Sequence, residues 1–182
     1  MLLLLATAQA QGLLGEDDVV GAAICAQTNA VRQANGRPAL TVSDRLSHAA
    51  HLHAAQMVEH DFFGHTAPPR AALSRPVDRL LAAGVVSPHT PAENIATWFA
   101  MNYQPGDGYR VIDVETFSYR SRGRALQPHT PEGLAQALVD YWMESQGHRE
   151  NILSRVPDAM GCAATMYLQD RFPMYKAVQL FL

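Results

Sequence analysis

Apolar residues recur at helical spacing through the first part of the chain and gather into long runs at its end, with a polar, proline- and glycine-rich stretch between. Residues 16–35 read as a first helix. Asp17 and Asp18 suit its positive end, and Val19, Val20, Ala23, Ile24, Ala30 and Val31 form an apolar stripe. Asn35-Gly36 and then Pro38 stop it. Ser43 or Asp44 caps a second helix reaching to about Asp61, with Leu46, Ala50, His53, Ala54, Met57 and Val58 facing inward. Pro68-Pro69 forbid more helix, and Pro76 to Gly84 predicts a short helix with a glycine stop. Thr130 to Tyr141 is helical, with Leu134, Leu138 and Tyr141 on one face, and Trp142 leads into Ser145 to Leu153. Met160–Leu168 and Met174–Leu182 are strand-length apolar runs, so a β-hairpin with an irregular turn over 169–173 is expected. Helices early and strands late predict an α+β layered domain.

Two segments stand outside this pattern. Residues 1–10 pair a leucine run with Ala8-Gln9-Ala10, the apolar core and small-residue cleavage site of a secretory signal. No Lys or Arg precedes the leucines, as in a signal whose basic start is missing, and the run is far short of the ~20 apolar residues of a membrane span. The expectation is a domain over 16–182 in a secreted or periplasmic protein. Residues 99–131 carry Pro105, Gly106 and Gly108, an alternating Val111 to Phe117, and Arg120, Arg122 and Arg124. They read as an inserted hairpin or mobile loop.

Apolar residues make up 48% of the chain and charged residues 17%, enough to bury a core. A formal charge of −3 offers no basic stripe, so nucleic acid is not an expected partner. Cys25 and Cys162 form one disulfide or stay as two small buried residues, and the sequence leaves both readings open.

Of eight histidines, His48, His51 and His60 fall toward the polar side of the second helix, while His89 and His129 sit in loops beside prolines. His53 faces inward and reads as a hydrogen-bonded core residue. His65 and His148 each follow a glycine in a punctuated segment, and Glu93 lies in an otherwise apolar turn. Two imidazoles and a carboxylate suit a zinc or other divalent site with an open position, or an acid–base pair. The spacing matches no local zinc motif, and a polar network that fixes loops is the alternative. Ser145 lies three residues before His148, which allows a Ser145–His148–Glu93 arrangement, but no nucleophile-elbow motif supports it. Capping is the usual role of such a hydroxyl.

Several segments occur in a characteristic order: Leu46-x-x-x-Ala50-x-x-His53-Ala54-x-x-Met57, Phe63-Gly64-His65-Thr66-x-Pro68, Arg79-x-x-x-x-Gly84 and Ala92-Glu93-Asn94-Ile95-Ala96. Trp142-Met-x-Ser145-x-Gly147-His148-Arg149-x-Asn151-Ile152-Leu153 and Met160-Gly161 complete it. The chain resembles the bacterial branch of the CAP (SCP-like) superfamily, which includes cysteine-rich secretory, antigen 5 and pathogenesis-related proteins. The resemblance covers about residues 22–98 and 130–182.

It implies a three-layer α-β-α sandwich around a central antiparallel sheet. It also implies a cleft in which His65 and His148 match the two family histidines and Glu93 the first acidic residue. Ser145 stands where the second acid is expected, and Glu144 would point about 100° away on a helix. The 99–131 insertion, following Glu93, is expected beside the cleft, with its arginines facing an anionic ligand or simply solvent. Three functions are in play: a secreted module binding a metal and a lipid-like or cell-envelope ligand, a metal-dependent peptidase or esterase using Glu93 or Ser145, and an extracellular structural protein.

Overall fold

A computed structural model of the chain describes residues 19–69, 71–103, 106, 108–112, 116–119 and 124–182. The leader, Asp17, Asp18, Arg120 and Arg122 lie outside the described residues. Helix α1 is described over 19–34. Its buried line is Val20, Ile24, Cys25, Thr28 and Arg32, whereas Val19 and Ala30 of the expected stripe face solvent. The helix ends at Gly36, whose φ of 67° lies in the left-handed region that glycine tolerates.

A two-residue strand β1 (Thr41–Val42) leads into α2 (Asp44–Glu59), where the Ser43 side chain accepts a hydrogen bond from Leu46 N. Helix α3 (Pro76–Ala82) starts on a proline and ends before Gly84, at a φ of 73°. Strand β2 (Ala92–Phe99) follows, so Glu93 belongs to a strand and not to a turn. Its polar residues hid the strand, because both faces of β2 are covered and neither alternates simply. After the β3–β4 hairpin (Tyr109–Val111 and Phe117–Tyr119) come α4 (Pro131–Glu144) and α5 (Gln146–Leu153). The chain closes with β5 (Ala159–Gln169) and β6 (Phe172–Phe181). The expected irregular turn is a two-residue one: Asp170 and Arg171 have φ of 49° and 69°, the left-handed pair that matches the twist of a tight hairpin.

The main sheet runs β1-β5-β6-β2, antiparallel except where β1 pairs with β5. Side chains alternate across it. One face sends Ala96, Met160, Cys162, Ala164, Ala177 and Phe181 against α1, α4 and α5, around the fully buried Trp142. The other sends Ile95, Ala163, Val178 and Leu180 against α2 and α3. Every residue of β6 is buried, which explains its unbroken apolar run. The result is the three-layer α-β-α sandwich.

Close approach requires glycine at two points beside β5. A Cβ on Gly161 would strike the Leu46–Ser47 backbone, and one on Gly21 would come within 2.8 Å of the Cys162 carbonyl. Cys25 and Cys162 are joined, with Cα atoms 5.7 Å apart, so α1 is stapled to β5.

The described part of the β3–β4 hairpin does not lie beside Glu93. It packs Phe117, Tyr109 and Tyr103 onto Phe99, Phe172 and Met174 in a separate aromatic cluster. That cluster is at the Phe99 end of β2, about 20 Å along the strand from Glu93. Its aromatic residues made the difference: they needed a surface to cover, and the far end of the sheet offers one. Arg124 is exposed.

Candidate functional site

Strand β2 is an edge of the sheet, and consecutive residues on it project to opposite faces. Glu93 therefore enters the α2/α3 layer and Asn94 the α1/α4/α5 layer. Each holds one of the two histidines.

On the Glu93 side, His65 Nδ1 lies 2.9 Å from Glu93 Oε1, and Arg79 Nη2 donates to Glu93 Oε2 at 3.0 Å. A carboxylate only accepts, so Nδ1 carries the proton and Nε2 of neutral His65 keeps its lone pair. Arg79 Nη2 also donates to the His65 carbonyl at 3.0 Å, and Nη1 to the carbonyls of Leu73 and Ser74. Arg79 is wholly buried, one turn into α3, where Asp78 fixes the helix start by accepting from Arg75 N. The loop before His65 is held from below: Lys176 Nζ donates to the Met57 and Phe62 carbonyls at 2.6 and 2.9 Å.

His53 is in the core as expected, but it is not well hydrogen-bonded. Its Nε2 comes 3.5 Å from Glu93 Oε1, and neither ring nitrogen has a hydrogen-bond partner of good geometry. Oε1 is already engaged by His65 at the shorter distance. Burial dominates at His53 and pushes its pKa down to about 4 against the pull of Glu93, with the Gly64 carbonyl as a further nearby acceptor. The hydrogen bond to Glu93 raises the pKa of His65 above its ordinary value.

The Asn94 side is neutral. Asn94 Nδ2 donates to the His148 carbonyl at 3.2 Å and to Gln179 Oε1 at 3.0 Å, while its Oδ1 accepts from Asn151 Nδ2 at 2.8 Å. Gln179 Nε2 donates to Thr28 Oγ1, which donates to the Ile24 carbonyl at 2.7 Å. A chain of amides and one hydroxyl thus runs from α1 across this face of the sheet to α5. His148 Nδ1 is buried with no partner, so no protein hydrogen bond fixes the tautomer of this ring. Burial and then the neighbouring His65 charge push its pKa down.

Ser145 is the junction of α4 and α5, ending one helix and preceding the next, and its side chain makes no capping bond. No hydrogen bond joins its hydroxyl to His148 among the described residues, so an activated serine is not assembled. Glu144 is exposed. His48 is exposed on α2, and His51 and His60 are half-buried.

Among the described residues no group of three or more His, Cys, Asp and Glu side chains is arranged to hold a metal ion. The donors fit a smaller site. Glu93 has both oxygens engaged, one by Arg79, whose positive charge disfavours a cation there. The remaining nitrogen donors are His65 Nε2 and the unpaired imidazole of His148, a two-nitrogen set that leaves open positions. Glu93 would act on His65 from behind, orienting the ring and raising its basicity.

Arg79, Asn94, Asn151 and Gln179 escaped the sequence reading as site residues. Arg79 carried two signals, a charge beside Val77, Leu80 and Leu81 in a short helix and its place in the Arg79-x-x-x-x-Gly84 segment. Asn94 and Asn151 stood in the ordered segments without an assigned role, and Gln179 carried no signal.

The profile of the cysteine-rich secretory protein (CAP) family matches residues 26–121 and 102–181. The chain belongs to the CAP family. Solved structures share the fold. A protein containing an SCP domain from Bacillus anthracis aligns at TM-score 0.59 and 20% identity, over 91% of this chain and 41% of that one. An outer surface protein of Borrelia burgdorferi aligns at TM-score 0.51 and 15% identity, over 86% of each chain. A cysteine-rich secretory protein of Staphylococcus aureus aligns at TM-score 0.52 and 16% identity, over 91% of this chain and 38% of that one. The chain thus spans less than half the length of two of these relatives. A search of curated proteins gave no significant match. Among the described residues no helix is long and apolar enough to cross a membrane.

Proposed function

We propose that this CAP-family chain is a secreted binding module whose His65–His148 pair takes a zinc-class divalent cation, together with a lipid-like or cell-envelope ligand. The observation that carries the reading is the fixed state of His65. Glu93 holds the Nδ1 proton, Arg79 neutralises Glu93, and the side chain is 55% exposed with its second nitrogen free to bind. Secretion is supported by the disulfide, which suits an oxidising compartment, and by relatives described as extracellular and outer-surface proteins.

Bound there, the cation supplies Lewis acidity and open positions for an oxygen-bearing ligand. The protein's part is to hold the two histidines from the edge strand β2, His65 through its ring on Glu93 and His148 through its backbone carbonyl on Asn94. A hydrolytic role has less to stand on, because neither Ser145 nor Glu93 is placed to act: one is unactivated and the other is locked in an ion pair. Zinc titration by calorimetry tests the reading. One equivalent should bind at pH 7.5 and be lost in both His65→Ala and His148→Ala, while peptide and ester substrates show no turnover. Retained stoichiometric binding in either variant would refute the paired site, and turnover abolished by Glu93→Gln would make it an enzyme.

A further inference from the structure

A second concentration of charge lies where neither histidine reaches. The turn after α1 and the segment after α5 enclose a cavity of about 540 Å³ whose lining includes Arg32, Arg37, Arg155 and Asp158. Its frame is rigid. Arg32, only 1% exposed, donates from Nε to the Pro38 carbonyl at 3.0 Å and from Nη1 to the Ile152 and Ser154 carbonyls at 2.6 and 2.9 Å. One side chain therefore ties the turn bearing Arg37 to the end of α5, just before Arg155. Arg37 N donates to the Arg32 carbonyl at 2.9 Å, which closes the turn.

The charges gathered there are not balanced by the protein. Among the described residues neither Arg37 nor Arg155 has a carboxylate within ion-pair distance. Among the described residues Arg37 Nε is buried with no hydrogen-bond partner. Arg32 also feels Arg37: burial first, then that neighbouring charge, pull its pKa down. Asp158 is the opposing group, an exposed carboxylate on the cavity wall. Three guanidinium groups against one acid leave an excess of planar donor forks, and these match a tetrahedral oxyanion better than a single carboxylate.

We propose that this cavity binds a phosphate-type oxyanion, gripped by Arg37 and Arg155 against the fixed guanidinium of Arg32. The same chemistry is offered by free phosphate and by the headgroup of an anionic phospholipid.

Inorganic phosphate is titrated into the full chain at low ionic strength, with parallel sedimentation on vesicles of phosphatidic acid in phosphatidylcholine. Arg32 is left intact, because it holds the fold. One saturable site is expected for at least one of the two probes, weakened at least about tenfold in Arg37→Gln and in Arg155→Gln. Asp158→Asn should tighten it, and the unfolding midpoints should stay unchanged. Saturable binding of inorganic phosphate assigns free oxyanion as a ligand, whereas binding to the vesicles alone assigns the headgroup. No saturable binding of either probe would overturn the proposal. So would undiminished binding in both arginine variants, or equal displacement by chloride at the same concentration.

Discussion

The two faces of β2 hold their histidines by different physics. On one, Glu93, Arg79 and His65 form a buried ion-pair network, with His53 packed against it and unprotonated at neutral pH. On the other, Asn94, Gln179, Asn151 and Thr28 form a neutral chain that grips the His148 backbone and leaves its ring alone. The charged face therefore sets the proton state of its histidine, and the neutral face sets only position. One strand carries both because its residues alternate in direction.

Breaking the charged face should cost most. Arg79→Met leaves the Glu93 carboxylate buried without its guanidinium, and urea unfolding should show a loss of about 3–5 kcal/mol. Glu93→Gln in that background should recover part of it, which tests whether the two act as a pair. On the neutral face, Asn94→Ala strands Gln179 and Asn151, for an expected loss of about 1–3 kcal/mol and no change in the His65 titration.

Acid should weaken the charged face further. His53 takes up a proton at about 6.5 when unfolded but only at about 4 when folded, so between those values the unfolded chain binds more protons. Its contribution is full above pH 6.5 and is lost as the pH falls toward 4, by about 1 kcal/mol between pH 6.5 and 5.5. His65 runs the other way: its raised value stabilises below the unfolded pKa and fades as the pH rises through the folded one. That term is small, because the ring is more than half exposed. Chemical denaturation across this range should show the loss, and His53→Leu should flatten it.

The smallest effects distinguish the histidines themselves. By NMR, His65 should titrate above its ordinary value and His148 below it. Glu93→Gln should lower the first, and His65→Ala should raise the second by removing a neighbouring charge.

Much of this was legible in the sequence. The helices that cover only one face announced themselves, since each pairs a single apolar stripe with a start signal, the caps Ser43 and Thr130 or the first-turn Pro76. His65, Glu93 and His148 were selectable only together, through the order of motifs around them. Strand β2 was hidden because Glu93 and Asn94 are polar residues turned into two covered layers, and polarity there reads as a turn. Arg79 and the amide chain were hidden because their partners are distant: Gln179 meets Thr28 across 151 positions. The described part of the hairpin lies away from Glu93, because adjacency in sequence says nothing about which end of a strand a segment covers.

The most direct test is a ¹⁵N NMR spectrum of the histidine side chains at pH 7.5, with and without one equivalent of zinc. The expected result is a metal shift at His65 Nε2 and on the His148 ring, with the Nδ1 proton of His65 still held by Glu93. Zinc shifts confined to His48, His51 or His60, or a lost Nδ1 proton, would contradict it.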